Sequence, residues 1–199
     1  MNELQNYRTV FVVGNGFDLN LGLKTSYKDF MESHWFSDIK NNSLVDYLRE
    51  RQSLNLWIDI ENELSAYSQS TFLSRIYIEG KPKKSDTLRG EYNELCSYLK
   101  SYLIEVTKEG AYSSAIGTYV LDQAFNLSPV YILTFNYTYT IENILSDISY
   151  DKSEYIINHV HGTLRNGIVF GVEDNAEIDK KHVFLYKSHS PYQKVKDLP

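Results

Sequence analysis

The sequence has little cysteine, no long apolar run and a shortage of positive charge. Its one cysteine, Cys96, excludes an intramolecular disulfide and any cysteine-rich zinc site. The residue sits among apolar neighbours and reads as core filler. No stretch approaches the ~20 apolar residues that a membrane-spanning helix needs. Residues 1–8 are polar and carry no apolar signal region, so the cytoplasm is the expected compartment. Lysine and arginine number 20 against 26 aspartates and glutamates, a formal net charge of -6. That balance argues against direct binding to nucleic acid or to anionic lipid. The basic run Lys81-Pro82-Lys83-Lys84 reads as a solvated loop. Internal repeats and low-complexity segments are absent too.

What is present points to an α/β protein. Thr9-Val10-Phe11-Val12-Val13 is a short β-rich run that stops at Gly14, as a strand buried on both faces of a parallel sheet does. Similar runs are Val130 to Phe135, ended by Asn136, and Tyr155 to His161, ended by Gly162. A fourth, Ile168 to Val172, follows an Asn166-Gly167 pair that favours a tight hairpin. Between the first two runs the apolar residues step by three and four. Leu88, Tyr92, Leu95, Leu99, Tyr102, Leu103 and Val106 mark one helix; Leu54, Trp57, Ile58, Leu64 and Tyr67 mark another, with Glu61 as its polar intruder in a structural role. Thr140 to Ile148 supplies a short helix between the second and third strands. The expected architecture is a single α/β domain over residues 1–199, a Rossmann-like, mostly parallel sheet covered by helices. A mainly helical insert at 31–126 follows the first strand.

Ligands of such sheets bind at the carboxyl ends of strands. Three features fall there. The turn Gly14-Asn15-Gly16-Phe17-Asp18 follows a strand, and glycines in it let backbone N–H groups approach a phosphate closely. Leucine at position 19 removes the third glycine of the dinucleotide fingerprint, which disfavours ordinary dehydrogenase binding. Asp18 would be repelled by a phosphate, so it either faces a ribose or reacting carbon or caps the next helix. Asn136 can hold ribose hydroxyls or a water through its amide, or simply bond its own turn. His161 has the proton affinity of a general base. His159 lies two residues earlier and reads as a hydrogen-bonded core residue. The pair offers a metal-binding alternative with Asp18 or Glu173 as third ligand, but no clear third ligand is indicated and no metal is expected.

Taken together these segments resemble the AbiH family of bacterial abortive-infection proteins. The matching pieces are Val13 to Leu19, Gly22 to Tyr27, Trp57 to Glu61, Thr134 to Thr138, His159 to Gly162 and Val169 to Gly171. More remotely the same points look like a sirtuin-type NAD-binding domain. The step from Gly16 to Gly22, the asparagine of Thr134-Phe135-Asn136-Tyr137-Thr138 and the pair His161-Gly162 carry that likeness. The resemblance implies a catalytic set of Asn136 and His161, with Asp18 beside them. Gly14, Asn15, Gly16, Phe17, Thr25, Tyr27 and Thr134 would then hold the nucleotide. Asp18 stands where sirtuins carry serine, Thr138 where they carry aspartate and Tyr27 where they carry arginine. Without zinc-binding cysteines, protein deacetylation is not expected. AbiH relatives generally continue further past the segment matching His189-Ser190-Pro191, so a shortened carboxyl end is expected.

The function these readings imply is phage defence by cleavage of NAD at its nicotinamide–ribose bond. NAD enters as substrate or ligand rather than as a tightly bound cofactor. Uncontrolled cleavage would be toxic, so a phage-derived trigger or a protein partner is expected, and a homo-oligomer stays open. Two other readings remain: a nucleotide sensor that does not cleave, and a metal-dependent hydrolase using His159 and His161.

Overall fold

The computed structural model describes residues 9–54, 60, 62–64, 66–67, 85–108, 115–125, 129–148 and 155–168. They fall into two units. Thr9–Ser26 joins Leu103–Ile168 in one, and the described residues from Tyr27 to Tyr102 form the other.

The first unit is the α/β part. Strands β1 (Thr9–Val13), β2 (Val130–Thr134) and β3 (Tyr155–His159) form a parallel sheet in the order β1-β2-β3. Val13 lies opposite Thr134, and Thr134 opposite His159, so the three carboxyl ends are level. The ladder runs on past them: Phe135 N–H donates to Val13 O and Val160 N–H to Thr134 O, both at 2.9 Å. Strand order follows chain order, so no reversal occurs among the described strands.

Helix α1 (Gly16–Asn20) leaves the end of β1, while α6 (Ala115–Phe125) precedes β2 and α7 (Thr140–Ile148) joins β2 to β3. One sheet face and these helices bury Val13, Leu121, Val130, Ile132, Ile141, Ile144 and Leu145 in a single cluster. Ile141, Ile144 and Leu145 give α7 its inward stripe at helical spacing. Burying each such side chain contributes about 1.5–3 kcal/mol. Gly117 lets α6 approach α1, for a methyl group there would lie 3.1 Å from Leu21 Cδ2. The other face of β1 differs from the expectation of burial on both sides, because Val10 and Val12 are 58% and 61% exposed. A continuous apolar run looks the same in either case, since both of its faces are apolar.

A second, two-stranded sheet pairs β4 (Gly162–Thr163) with β5 (Gly167–Ile168) antiparallel. The expected Asn166-Gly167 hairpin is therefore present, with Leu164, Arg165 and Asn166 as its loop and Gly167 at φ +104°. Its continuation through Val172 lies outside the described residues, as do Lys81 to Lys84, Trp57, Glu61 and Glu173.

The second unit is helical: α2 (Tyr27–Met31), α3 (His34–Asp38), α4 (Ser43–Leu54) and most of α5 (Ser85–Lys108). Phe30, Phe36, Ile39, Leu44, Leu48, Ile60, Leu64, Leu95 and Leu99 fill its core. Asn42 is wholly buried and fully used. Its Oδ1 accepts from Val45 N–H at 3.0 Å, capping α4, and its Nδ2 donates to Glu91 O and Glu94 Oε2, both at 2.9 Å. The expected helix over Leu88 to Val106 is α5. Cys96 lies on it, and burial pushes its thiol up to about 12.

Candidate functional site

The carboxyl ends of the strands carry most of the candidate residues, and the path of the chain explains why. After β1 the chain turns through Gly14 and Asn15 into α1, with Phe17 N–H donating to Gly14 O at 3.0 Å. Asn15 is the N-cap residue, and Thr25 Oγ1 donates to its Oδ1 at 2.7 Å. Thr25 thus ties the far end of this segment back to the turn. The helix ends in a glycine cap: Leu23 N–H donates to Asp18 O and Gly22 N–H to Leu19 O, with Gly22 at φ +79°. Gly22 is required by the backbone. Gly14 and Gly16 are not, since both are exposed and a methyl group on either would meet no atom within 4 Å. Phe17 leans on the core cluster.

Asp18 lies inside α1, not at its cap, and is only 1% exposed. Its carboxylate accepts from Thr138 Oγ1 at Oδ2 and from Thr140 Oγ1 at Oδ1, both at 2.6 Å. Burial raises its pKa above the ordinary 3.8, while the hydroxyls of Thr138 and Thr140 pull the other way. The carboxylate therefore anchors the loop between β2 and α7 to α1.

Asn136 is carried by that loop. Its backbone N–H donates to Thr134 Oγ1 at 3.1 Å, and its side chain is 4% exposed. The amide lies beside Asp18 and favours its charged form, yet neither Nδ2 nor Oδ1 meets the geometry of a hydrogen bond among the described residues. A buried donor and acceptor both left unmade are costly, by about 1–3 kcal/mol each.

His159 ends β3 with its ring buried. Its Nδ1 lies 2.8 Å from Asn136 O and its Nε2 lies 2.7 Å from Glu142 Oε1 in α7. The carbonyl can only accept, so Nδ1 carries a proton, and the facing carboxylate favours a second proton on Nε2. His159 is thus the hydrogen-bonded core residue expected of it. His161 lies elsewhere, beyond the strand end, where Gly162 turns the chain at φ +77°. Its ring meets Phe135 edge-on at 5.3 Å and Tyr137 at 6.1 Å, the residues on either side of Asn136. The two histidines therefore do not share one environment. Among the described residues no group of three histidine, cysteine or acidic side chains is arranged to hold a metal.

The structure gathers Gly14, Asn15, Gly16, Phe17, Asp18, Thr25, Thr134, Asn136 and His161 into one unit; Tyr27 opens α2 of the other. Sequence reading missed the roles of Thr138, Thr140 and Glu142. The one available signal was the alternation of hydroxyl side chains at 138 and 140 ahead of a helix with an acid in its first turn. An open cleft of about 460 Å³ lies beside this network, lined by Thr107, Tyr139, Glu142, Asn143, Leu164 and Arg165.

No helix among the described residues is long and apolar enough to cross a membrane. No curated protein and no solved structure matches the chain. A family model described as "Bacteriophage abortive infection AbiH" matches residues 10–198, from β1 past the end of β5. The strand-end turn, the clamped loop and the His159-to-Gly162 segment all lie within that match, and the chain belongs to the AbiH family of bacteriophage abortive-infection proteins.

Proposed function

We propose that this abortive-infection protein binds NAD at the carboxyl ends of β1, β2 and β3 and hydrolyses its nicotinamide–ribose bond. The observation that carries the reading is the buried Asn136 amide, neither of whose polar atoms completes a hydrogen bond among the described residues. A ribose diol or a water held over the strand ends offers both complements. Gly14 and Gly16 support it, because a methyl group at either would meet no described atom within 4 Å, whereas a phosphate lying against the backbone would favour glycine there. In this reading the sheet is a sirtuin-type NAD-binding domain.

In the reaction water adds to the ribose carbon as the bond to nicotinamide breaks, and nicotinamide leaves neutral with the bonding electron pair. The site must stabilise an oxocarbenium-like carbon and take one proton from the water. His161 accepts that proton, and Asn136 orients the water or the ribose hydroxyl. Asp18, enclosed beneath the loop, acts through Thr138 and Thr140 rather than on substrate. A phage-derived trigger releases the activity, since constant cleavage would kill the host.

Purified protein incubated with NAD, alone and with lysate from phage-infected cells, tests the reading by chromatographic detection of nicotinamide. Release is expected, and His161→Ala is expected to lower it about 10²–10⁴-fold. Release undiminished in that variant removes His161 from the mechanism. NAD binding by calorimetry without release in either condition would instead identify a sensor.

Gly16→Ala separates fold from ligand. The added methyl meets no protein atom, so the melting temperature is expected to hold or rise slightly. NAD affinity, by calorimetry, should fall at least about tenfold, the equivalent of one misplaced phosphate contact. Unchanged affinity would place the phosphates elsewhere.

A further inference from the structure

The Asn136 amide is only as well aimed as the backbone that carries it, and that backbone is held from behind. The carbonyl of Asn136 faces His159 Nδ1 at 2.8 Å, and His159 Nε2 faces Glu142 Oε1 at 2.7 Å. Glu142 lies in the first turn of α7 and also lines the open cleft. Its side chain is 30% exposed, whereas that of His159 is 8% exposed. The chain of contacts thus runs from solvent at the cleft, through a carboxylate and an imidazole, to the residue read above as the ligand-recognising group.

We infer that Glu142 and His159 form a positioning pair that aims the Asn136 amide, and that their shared proton, exchanged at the cleft, switches the strand-end site between an ordered and a relaxed form. The inference rests on the reading of Asn136 as the ligand-recognising group. With His159 doubly protonated, both ring nitrogens donate, one to Glu142 and one to the carbonyl. Loss of the Nε2 proton leaves two acceptors facing each other at 2.7 Å, and the ring or the loop must move. Asp18 does not replace this restraint, because it grips the loop two and four residues further on, at Thr138 and Thr140.

The groups around His159 favour the charged ring. Burial, the largest influence, opposes its charge; the Glu142 hydrogen bond, the Asn136 carbonyl and the charges of Glu142 and Asp18 outweigh it, raising the pKa above 6.5. The Tyr139 ring lies 5.7 Å from the imidazole and carries Arg165 over it at 5.5 Å, so the hairpin adds a more distant positive charge. Glu142 Oε2 is buried without a partner, which leaves His159 as the proton donor to this carboxylate among the described residues.

Nitrogen-15 NMR of the full chain, free of nucleotide, tests the pair directly. In the wild type both His159 nitrogens are expected to be protonated on the acid side of its raised pKa, and the Asn136 side-chain amide signals should move along the same titration curve. In Glu142→Gln the midpoint of both curves should fall together by about 1–2 pH units. NAD binding, followed by calorimetry over the same range, should follow the same curve. Asn136 signals that ignore the His159 titration in the wild type would overturn the inference, as would an unmoved midpoint in Glu142→Gln. The wild-type titration needs no variant to fold. If NAD fails to bind while the Asn136 amide still follows His159, the positioning pair stands and the reading of the ligand falls. If NAD binds with no pH dependence, the reverse holds.

Discussion

Asp18→Ala is expected to destabilise the protein by about 2–4 kcal/mol, because two buried hydroxyls lose their acceptor at once. Thr138 and Thr140 both donate to this carboxylate at 2.6 Å, and their own oxygens are 3.3 Å apart. After truncation they can bond weakly to each other, which keeps the loss below the sum of two isolated orphans. Asp18→Asn should cost less, since one amide oxygen still accepts and either threonine can rotate to accept from the nitrogen. Urea unfolding of the three proteins measures the order, wild type above Asn above Ala. An alanine variant as stable as the wild type would show that the clamp holds nothing.

The pH dependence of this comparison has a definite sign. The folded-state pKa of Asp18 is raised above 3.8, by burial foremost. A raised folded pKa stabilises the protein fully below the unfolded value, and the contribution is lost as pH rises through the folded value. The wild type should therefore gain on Asp18→Asn as pH falls toward 4 from above. His159 titrates with the same sign. Its folded value lies above 6.5, so its contribution is present below that value and fades as pH rises through the folded one.

Asp18 also shows what the sequence could not convey. Its partners are 120 and 122 residues away, so no local pattern reveals that a carboxylate in a glycine turn is buried beneath a distant loop. Chemistry alone left it facing a ribose or capping a helix, and both readings assume the side chain points outward or along its own helix. The strands were legible because β-rich runs end at Gly14, Asn136 and Gly162. Helices α5 and α7 were legible because their apolar residues recur at three and four. The strand-end placement of Asn136 followed from the same punctuation. The exposure of Val10 and Val12 did not, nor did the division of labour between His159 and His161. Two positions apart suggested one strand face, but β3 stops at His159 and Gly162 sends His161 to the neighbourhood of Phe135 and Tyr137.

Asn136→Ala should separate stability from function more sharply than any other change. In most buried asparagines truncation destabilises, because bonds made by the amide are lost; Asn42, with its three partners, is such a case. At position 136 neither amide atom completes a hydrogen bond among the described residues. Removing them relieves an unmet donor and acceptor, worth about 1–3 kcal/mol each where desolvation is complete. The cavity left by three heavy atoms costs about 1 kcal/mol or less by volume. The backbone bonds of residue 136, from its N–H to Thr134 and from His159 to its carbonyl, survive the change. The favourable influence of the amide on ionised Asp18, which ranks behind those of Thr138 and Thr140, is the remaining loss. The balance predicts a variant at least as stable as the wild type, by up to about 2 kcal/mol in urea unfolding. Nicotinamide release should nonetheless fall at least about 10²-fold, as expected when a polar group that orients the reacting water is removed. A variant that is destabilised by more than about 2 kcal/mol, a typical cost for a buried amide that makes its bonds, would assign Asn136 to the core and leave the strand ends without a recognition group.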